Sequence, residues 1–347
     1  MLKSLIALSL AFGSYLLKVD LTETQKKDTL DSLATAMKSR YVSQDAAEAA
    51  VRKLEAERKL GTYDSIQSGD EFAKLLTTHL NEVCKDAHLR VFYREETLPA
   101  RKDQTQPSPE EIKRQSHYVV LSNSMFERVE RLPGNIGLLK FDGFQEPKEM
   151  ERPCKAAFDF LANTDALIID LRQNGGGSPD GVKHICSYLL GPKPVHLNDL
   201  YFREGNRTIQ FWTQKSVPGK RYENKPVFLL IGKRTGSGAE EFAYDLKNLK
   251  RATLIGDNTW GGANPGGVVR LNDHFAAFIP VGKAINPYTK TNWEGTGVDP
   301  DIRADAKDAM GIAHRMAVET LLTTLKDPDD QKRLGSVLEE LKKPVNP

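Results

Sequence analysis

The sequence predicts an α/β protein of the α+β kind, in which a mixed β-sheet core flanked by helices follows an N-terminal helical domain. Three observations support this fold class. Residues 20–98 place apolar side chains at helical intervals, residues 117–325 alternate strand-like and helix-like segments, and residues 99–116 between them are polar and contain prolines. A chain of 347 residues is long enough for two structural units.

The N-terminal domain is predicted over residues 20–98, and its apolar spacing indicates three helices before a short strand. The predicted elements are a helix whose face carries Leu30, Leu33, Ala34 and Met37, a helix over 46–59, a helix opening at Ser68, and a strand within 86–93. Residues 99–116 are predicted to form a linker or surface loop, because prolines and charged residues dominate them.

The C-terminal core is predicted over residues 117–325, with a tail over 326–347. Nearly continuous apolar runs indicate strands that are buried on both faces of a sheet. The predicted strands cover 136–141, 166–171, 226–231 and 252–256, a β-hairpin covers 268–271 and 275–279, and helices cover 146–163, 179–190, 239–249 and 305–325. Alternation of this kind is typical of helices packed on a mixed sheet.

Composition excludes several classes of protein. There are 49 basic and 47 acidic residues, and no basic stripe interleaved with aromatic residues, so we expect no nucleic-acid partner. The seven histidines show no metal-ligand spacing, and we expect neither a metal nor a cofactor. The three cysteines, Cys84, Cys154 and Cys186, are too few for a disulfide framework and are interpreted as small buried apolar residues, although Cys84 and Cys154 could pair in an oxidising compartment.

Residues 1–19 resemble a secretory signal, because a single lysine precedes a short apolar run. The run is too short for a comfortable membrane span, and no other stretch could cross a bilayer. Ala11 and Gly13 form only a weak cleavage site, so an uncleaved N-terminal anchor and a core helix remain alternatives. We therefore expect a secreted or periplasmic protein.

Three glycine-rich segments follow predicted strands, at 170–177, 231–242 and 256–267. Ligands of open α/β sheets bind beyond the carboxyl ends of the strands, so these segments are the candidates for a site. The three glycines of the first segment could aim backbone amides at developing negative charge, as an oxyanion hole requires. The same residues could form an ordinary tight turn, whereas the Walker pattern of a phosphate loop is absent.

Ser237 lies in the second segment, between two glycines and at the predicted start of a helix. A helix N-terminus offers free amides and partial positive charge, which suits a nucleophilic hydroxyl. A simple N-cap serine is the alternative. The segment is not the Gly-x-Ser-x-Gly elbow, because Thr235 and Ala239 occupy the required glycine positions. The third segment could form a wall of a substrate cleft.

The order of these motifs resembles the tail-specific (C-terminal processing) protease family over roughly residues 135–302. The resemblance implies a crotonase/ClpP-like core and a serine-type peptidase. One branch of the family uses a lysine in the third glycine-rich segment, where this chain has Trp260-Gly261-Gly262-Ala263 instead. The chain is more similar to the branch of the tricorn core and the interphotoreceptor retinoid-binding protein modules, which lacks that lysine and an inserted PDZ domain.

The resemblance implies that Ser237 is the nucleophile, that His88 is the general base, and that Glu294 orients His88 indirectly. Tricorn places a serine directly before its histidine, whereas this chain has Ala87, so the connection to Glu294 is left open. The implied backbone sites are Gly176 and Gly238 for the oxyanion, and Gly261 and Gly262 for the substrate.

The expected partner is a peptide or unfolded protein substrate. The alternative is a catalytically silent module that binds a retinoid, a fatty acid or a peptide on the same fold. Retention of Ser237, His88 and Glu294 together favours the peptidase, because a carrier needs none of them. The sequence leaves open the cleavage preference and the oligomeric state.

Overall fold

The computed structural model describes residues 20–100 and 108–343, so the predicted signal or anchor segment lies outside the described residues. A six-stranded sheet forms the centre of the C-terminal core. Its strands are β2 Phe126–Leu132, β3 Ile136–Phe141, β4 Ala166–Asp170, β7 Val227–Ile231, β8 Thr253–Gly256 and β12 Ile302–Arg303, and they lie in the order β12-β8-β7-β4-β3-β2. Only β2 is antiparallel to its neighbour, which confirms the predicted mixed sheet.

Helices cover both faces of this sheet, as predicted. One face packs against α5 Pro147–Leu161, α6 Pro179–Leu189 and α7 Gly238–Asn248, and the other against α8 Ala309–Thr324 and α9 Pro328–Lys342. Strand β4 shows why the apolar run is continuous. Leu167 and Ile169 point into the first layer, whereas Ala166 and Ile168 point into the second.

The N-terminal region contains α1 Glu23–Arg40, α2 Gln44–Lys59, α3 Gly69–Cys84 and strand β1 Arg90–Tyr93. Leu30, Leu33 and Met37 are buried, which confirms the predicted face of α1. The hairpin of β9 Gly266–Arg270 and β10 Phe275–Pro280 pairs with β1 and completes the same apolar core. The helical region and the C-terminal core therefore share a sheet, which fixes the segment before β1 against the candidate site.

A small antiparallel sheet was not predicted from the sequence. It consists of β5 His196–Phe202, β6 Arg207–Trp212 and β11 Gly282–Ile285, in the order β11-β5-β6. Most side chains of β6 are exposed, so its sequence lacks the apolar alternation that indicates a strand.

Two further helices differ from the prediction. Helix α4, Pro109–Leu121, begins inside the predicted linker, because Ser108 and Glu111 form a capping box and Pro109 occupies the first helical position. The predicted tail contains α9, which Asp327 caps and whose Leu334 is buried. None of the helices in the two described ranges is long and apolar enough to cross a membrane.

All three cysteines have free thiols, so Cys84 and Cys154 do not pair. Cys154 and Cys186 are buried and belong to the core beneath α5, α6 and α7, as the interpretation of small apolar residues requires. Cys84 is only half-buried, at the end of α3.

Candidate active site

Ser237 sits in a sharp turn between β7 and α7, at the N-cap position of the helix. Its backbone has φ of 52° and ψ of −120°, a combination that L-residues with a side chain rarely adopt. Strained residues of this kind cluster at functional sites, because the surrounding structure must hold them in place. The conformation therefore singles out Ser237 from an ordinary helix-capping serine.

The side chain that holds this turn is Glu240, a residue that the sequence analysis did not select. It is fully buried and accepts the Ser237 N–H at 2.8 Å. It also accepts the Thr259 hydroxyl at 2.5 Å and the amides of Gly261 and Gly262 at 2.6 and 3.0 Å. Burial raises the pKa of this carboxyl, and the four donors oppose that rise. The Ser-x-x-Glu spacing of a capping box was the available signal.

The contacts of Gly261 and Gly262 differ from their predicted role in substrate binding. Both backbone amides donate to Glu240. The Gly261 carbonyl accepts the Gly295 N–H at 2.8 Å, and the Gly262 carbonyl accepts the Trp293 indole at 2.9 Å. The backbone N–H and C=O groups of both glycines are therefore engaged by Glu240, Gly295 and Trp293.

The predicted oxyanion glycines fall into two groups. The Gly176 N–H donates to Asn174 Oδ1 at 2.9 Å, so it is engaged inside its own turn. Within residues 20–100 and 108–343, no hydrogen bond from the amides of Gly177 or Gly238 is found. These two glycines are in contact, since a Cβ on Gly238 would lie 3.1 Å from the Gly177 nitrogen. The pair of free amides beside Ser237 therefore comes from Gly177 and Gly238.

His88 lies in the short segment between α3 and β1. Its ring packs edge-on against Trp260, with centroids 4.7 Å apart, and stacks on Phe278 at 5.4 Å. Burial, aided by the charge of Arg90, lowers the pKa of His88 to about 4. The imidazole is therefore neutral at pH 7, the state that a general base needs.

Glu294 lies in the loop after β11 and joins two segments of the site. Its Oε1 accepts the Ala87 N–H at 2.9 Å. Its Oε2 accepts the amides of Ala263 and Asn264 at 2.7 and 2.9 Å. The carboxylate thus ties the residue next to His88 to the glycine-rich loop, by main-chain contacts that do not need the missing serine hydroxyl.

Ser237 and His88 both lie next to the glycine-rich loop that contains Trp260 and Gly262. No direct hydrogen bond joins them in the described part of the chain. A Cβ on Gly262 would lie 2.8 Å from His88 Cε1, and one on Gly236 would lie 3.2 Å from Trp260 Cε3. The Trp260 indole therefore lies against both the turn of Ser237 and the ring of His88. Trp260 thus links the Ser237 turn to His88, and Glu294 contacts the His88 segment through the Ala87 amide.

One cluster at the site has the composition of a metal centre. Single ligand atoms of Asp86, His88 and Glu294 lie within 4.8 Å of one another. Both carboxylates already accept donors, since Asp86 accepts from the Tyr41 hydroxyl, the Asn264 amide and the His88 backbone. A cation would have to displace these donors, so the cluster fits hydrogen bonding better than metal ligation.

A strained serine at a helix N-terminus, a neutral histidine and a pair of free amides are the components of a serine hydrolase site on an α/β core. The profile of Peptidase family S41 matches residues 135–304. The profile described as the N-terminal domain of Peptidase_S41 in eukaryotic IRBP matches residues 18–130. The chain belongs to Peptidase family S41, which confirms the resemblance to the C-terminal processing proteases.

Individual relatives are distant. The chain is 28% identical to carboxyl-terminal-processing peptidase 2 of Arabidopsis thaliana over 196 residues, which cover 52% of this chain and 35% of that protein. It is 28% identical to the tricorn protease of Thermoplasma volcanium over 151 residues, which cover 41% of this chain and 12% of that protein. The chain thus spans about a third or less of the length of these two relatives.

Solved structures support the fold. A lipoprotein from Streptococcus agalactiae superimposes with a TM-score of 0.54 at 16% identity, covering 88% of this chain and all of that one. The photosystem II D1 C-terminal processing protease superimposes with a TM-score of 0.50 at 16% identity, covering 83% of this chain and 94% of that one. At these identities the likeness establishes the fold alone.

Proposed function

We propose that the chain is a serine-type peptidase in which Ser237 forms an acyl-enzyme with its substrate. The observation that carries this proposal is the strained backbone of Ser237 at the start of α7. A serine held in that conformation presents its hydroxyl at the helix N-terminus, beside backbone amides that can receive negative charge. Membership of the S41 family supports the same chemistry.

His88 acts as the general base and then as the general acid. It takes the proton of the Ser237 hydroxyl while Oγ bonds to the peptide carbonyl carbon, and it returns that proton to the amine as the C–N bond breaks. A water then loses a proton to His88 as it attacks the ester, and His88 returns that proton to Ser237 Oγ as the acyl bond breaks. With its pKa lowered to about 4, the ring is unprotonated at neutral pH and has a lone pair to accept the proton. Catalytic hydrogen bonds often tighten only with substrate bound.

The amides of Gly177 and Gly238 hold the oxyanion in this proposal, in place of the predicted pair of Gly176 and Gly238. Their lack of other acceptors in the described residues supports the change. Removing one such donor typically costs about 3 kcal/mol of transition-state stabilisation. Glu294 acts indirectly, by fixing the Ala87 amide beside His88.

The proposed substrate is a peptide or an unfolded protein, cleaved near its C-terminus. Relatives that are named C-terminal processing peptidases support this choice. Export to a secreted or periplasmic location is likewise a proposal, and it rests on the lysine and the apolar run within residues 1–19.

Fluorophosphonate labelling tests the nucleophile directly. We expect the wild-type chain to be labelled and to cleave unstructured peptides, and we expect Ser237→Ala to lose both properties by at least about a thousandfold. Ser178→Ala is the matched control, because Ser178 also caps a helix beside the same glycine-rich turn. Equal labelling of wild type and Ser237→Ala, or retinoid or fatty-acid binding without Ser237-dependent cleavage, would contradict the proposal.

A further inference from the structure

His88 requires a partner that the established family pattern does not supply in this chain. In a serine–histidine pair, an acid holds the Nδ1 proton and thereby leaves Nε2 free to accept the serine proton. Here His88 Nδ1 is buried without a hydrogen bond among the described residues. Ala87 offers no hydroxyl that could connect the ring to Glu294.

Two carboxylates flank the ring, Asp86 and Glu294, and the donors that they accept differ in kind. Glu294 accepts three backbone amides, one from the segment before β1 and two from the glycine-rich loop, so it holds these two segments together. Asp86 Oδ2 is filled by the Tyr41 hydroxyl at 3.2 Å and the Asn264 amide at 2.8 Å. Asp86 Oδ1 accepts the His88 N–H at 3.1 Å, in a short turn that also brings the Leu89 N–H to the carboxylate.

Asp86 is the more deeply buried of the two carboxylates. It is 2% exposed, and its own N–H donates to Asn81 Oδ1 at 3.1 Å. Its Oδ1 forms a local turn with the backbone of His88, so the carboxylate moves with the residue that it would orient. Other neighbours of the ring are Trp260, Phe278 and the charge of Arg90, none of which accepts a proton there.

We propose that Asp86 is the positioning residue of His88 and that it accepts the Nδ1 proton after a rotation of the imidazole about its Cβ–Cγ bond. Glu294 then serves to lock the Ala87 segment to the glycine-rich loop. The proposal rests on the proposed peptidase function, because it assigns which carboxylate supports the general base. In this chain, Asp86 would hold the His88 ring directly, in place of a connection to Glu294 through a serine hydroxyl.

Kinetics of three variants separate the two carboxylates. We expect Asp86→Asn to lower kcat by about a hundredfold or more with KM within twofold, because an amide favours the wrong tautomer of the base. We expect Glu294→Gln to raise KM and lower the melting temperature, because it loosens the loop. Glu82→Gln, an exposed change on α3, is the control for removing a carboxylate nearby and should match wild type.

The histidine tautomer gives a readout that a merely structural role would not move. In 15N-histidine spectra of the Ser237→Ala chain at pH 8, we expect His88 to carry its proton on Nδ1. That tautomer should persist in Glu294→Gln and be lost in Asp86→Asn. An Nε2-protonated His88 in the parent chain, or loss of the Nδ1 proton in Glu294→Gln but not in Asp86→Asn, would overturn the assignment.

These spectra also keep the two proposals apart. If the wild-type chain shows no Ser237-dependent cleavage, the proposed function fails while the tautomer still reports on Asp86. If wild type cleaves peptides and a folded Asp86→Asn keeps its kcat, only the positioning role fails. Should Asp86→Asn not fold, the parent chain and Glu294→Gln decide, because loss of the Nδ1 proton in the latter contradicts the proposal.

Discussion

The two faces of α7 bury carboxylates in opposite ways. Glu240 faces the glycine-rich loop and receives four donors, from one hydroxyl and three backbone amides. Glu241 and Asp245 face α6 and β5, and no ion pair with either is found in the described residues. The Asn286 amide lies 3.2 Å from Asp245 Oδ1, while Asp245 Oδ2 is without a partner in the same ranges.

The two faces of α7 therefore differ in how their carboxylates are stabilised. We call Glu240 and its four donors the clamp, and we call Glu241 and Asp245 the second face. Burial disfavours every carboxylate charge, but hydrogen bonds to the charged form restore it. Glu240 has four such bonds, and they oppose the rise that burial causes in its pKa. Burial raises the pKa of Glu241 to about 7, and burial together with Glu241 raises the pKa of Asp245 well above its usual range. The second face is therefore protonated at mildly acidic pH.

The largest effect is expected from breaking the clamp. Glu240→Gln replaces one acceptor oxygen by an amide that donates, so at least one of the Ser237, Gly261 or Gly262 amides loses its partner. Each unpaired buried donor costs about 1–3 kcal/mol. We expect the free energy of unfolding to fall by at least that amount and kcat to fall by about a hundredfold, because the turn of Ser237 loses its support. Urea unfolding and peptide cleavage measure the two effects.

Glu241→Gln is the matched control for the clamp, because it changes the neighbouring residue on the other face. It removes a carboxyl that holds none of the backbone amides of the site, so its activity should stay within about twofold of wild type. Equal losses of activity in Glu240→Gln and Glu241→Gln would mean that the two faces do not differ in the way that their hydrogen bonds indicate.

A smaller effect is expected from titrating the second face. The folded-state pKa of Glu241 is raised from 4.5 to about 7, so the folded chain binds more protons than the unfolded chain between these values. The contribution of Glu241 to the free energy of unfolding should therefore be largest below pH 4.5. It should fall as the pH rises through 7. The fall is about 1.4 kcal/mol for each pH unit that separates the folded-state and unfolded-state pKa values. Urea unfolding between pH 5 and 8 measures this slope.

The variants Glu241→Gln and Asp245→Asn test the origin of that slope. Each removes one of the two interacting acids, so each should flatten the fall in stability between pH 5 and 8. Glu82→Gln keeps both acids and should keep the wild-type slope. A wild-type slope that survives in Glu241→Gln and Asp245→Asn would assign the titration to other groups.

Several residues around Glu240 could be predicted from the sequence, whereas the buried pair of Glu241 and Asp245 could not. The family resemblance indicates Ser237, His88 and Glu294, whereas the capping-box spacing of Glu240 was present in the sequence but was not used. Glu241 looks like any charged helix residue, and its burial depends on β5, a strand that the sequence did not indicate.

The contact between Glu294 and Ala87 could not be predicted for a related reason. It uses a backbone amide, which every residue type except proline offers, so no side chain marks it. The same holds for Gly177, whose unengaged amide becomes visible only once Asn174 is seen to occupy that of Gly176. Sequence patterns locate chemical side chains, whereas main-chain partners follow from the fold.

The smallest effect is expected at Asn198 of β5, which is fully buried with neither amide atom hydrogen-bonded in the described residues. Replacing an unpaired buried amide by an apolar group of similar size is close to neutral, because no partner is left unsatisfied. We expect Asn198→Leu to change the free energy of unfolding at pH 5 by less than about 1 kcal/mol.

Asn286→Leu is the matched comparison, because the Asn286 amide donates to Asp245 and its Oδ1 accepts the Tyr288 and Thr289 amides. Losing those contacts leaves three polar groups without a partner, so we expect the free energy of unfolding to fall by about 2–4 kcal/mol. A loss in Asn198→Leu as large as that in Asn286→Leu would show that Asn198 is paired, and the second face would then resemble the first.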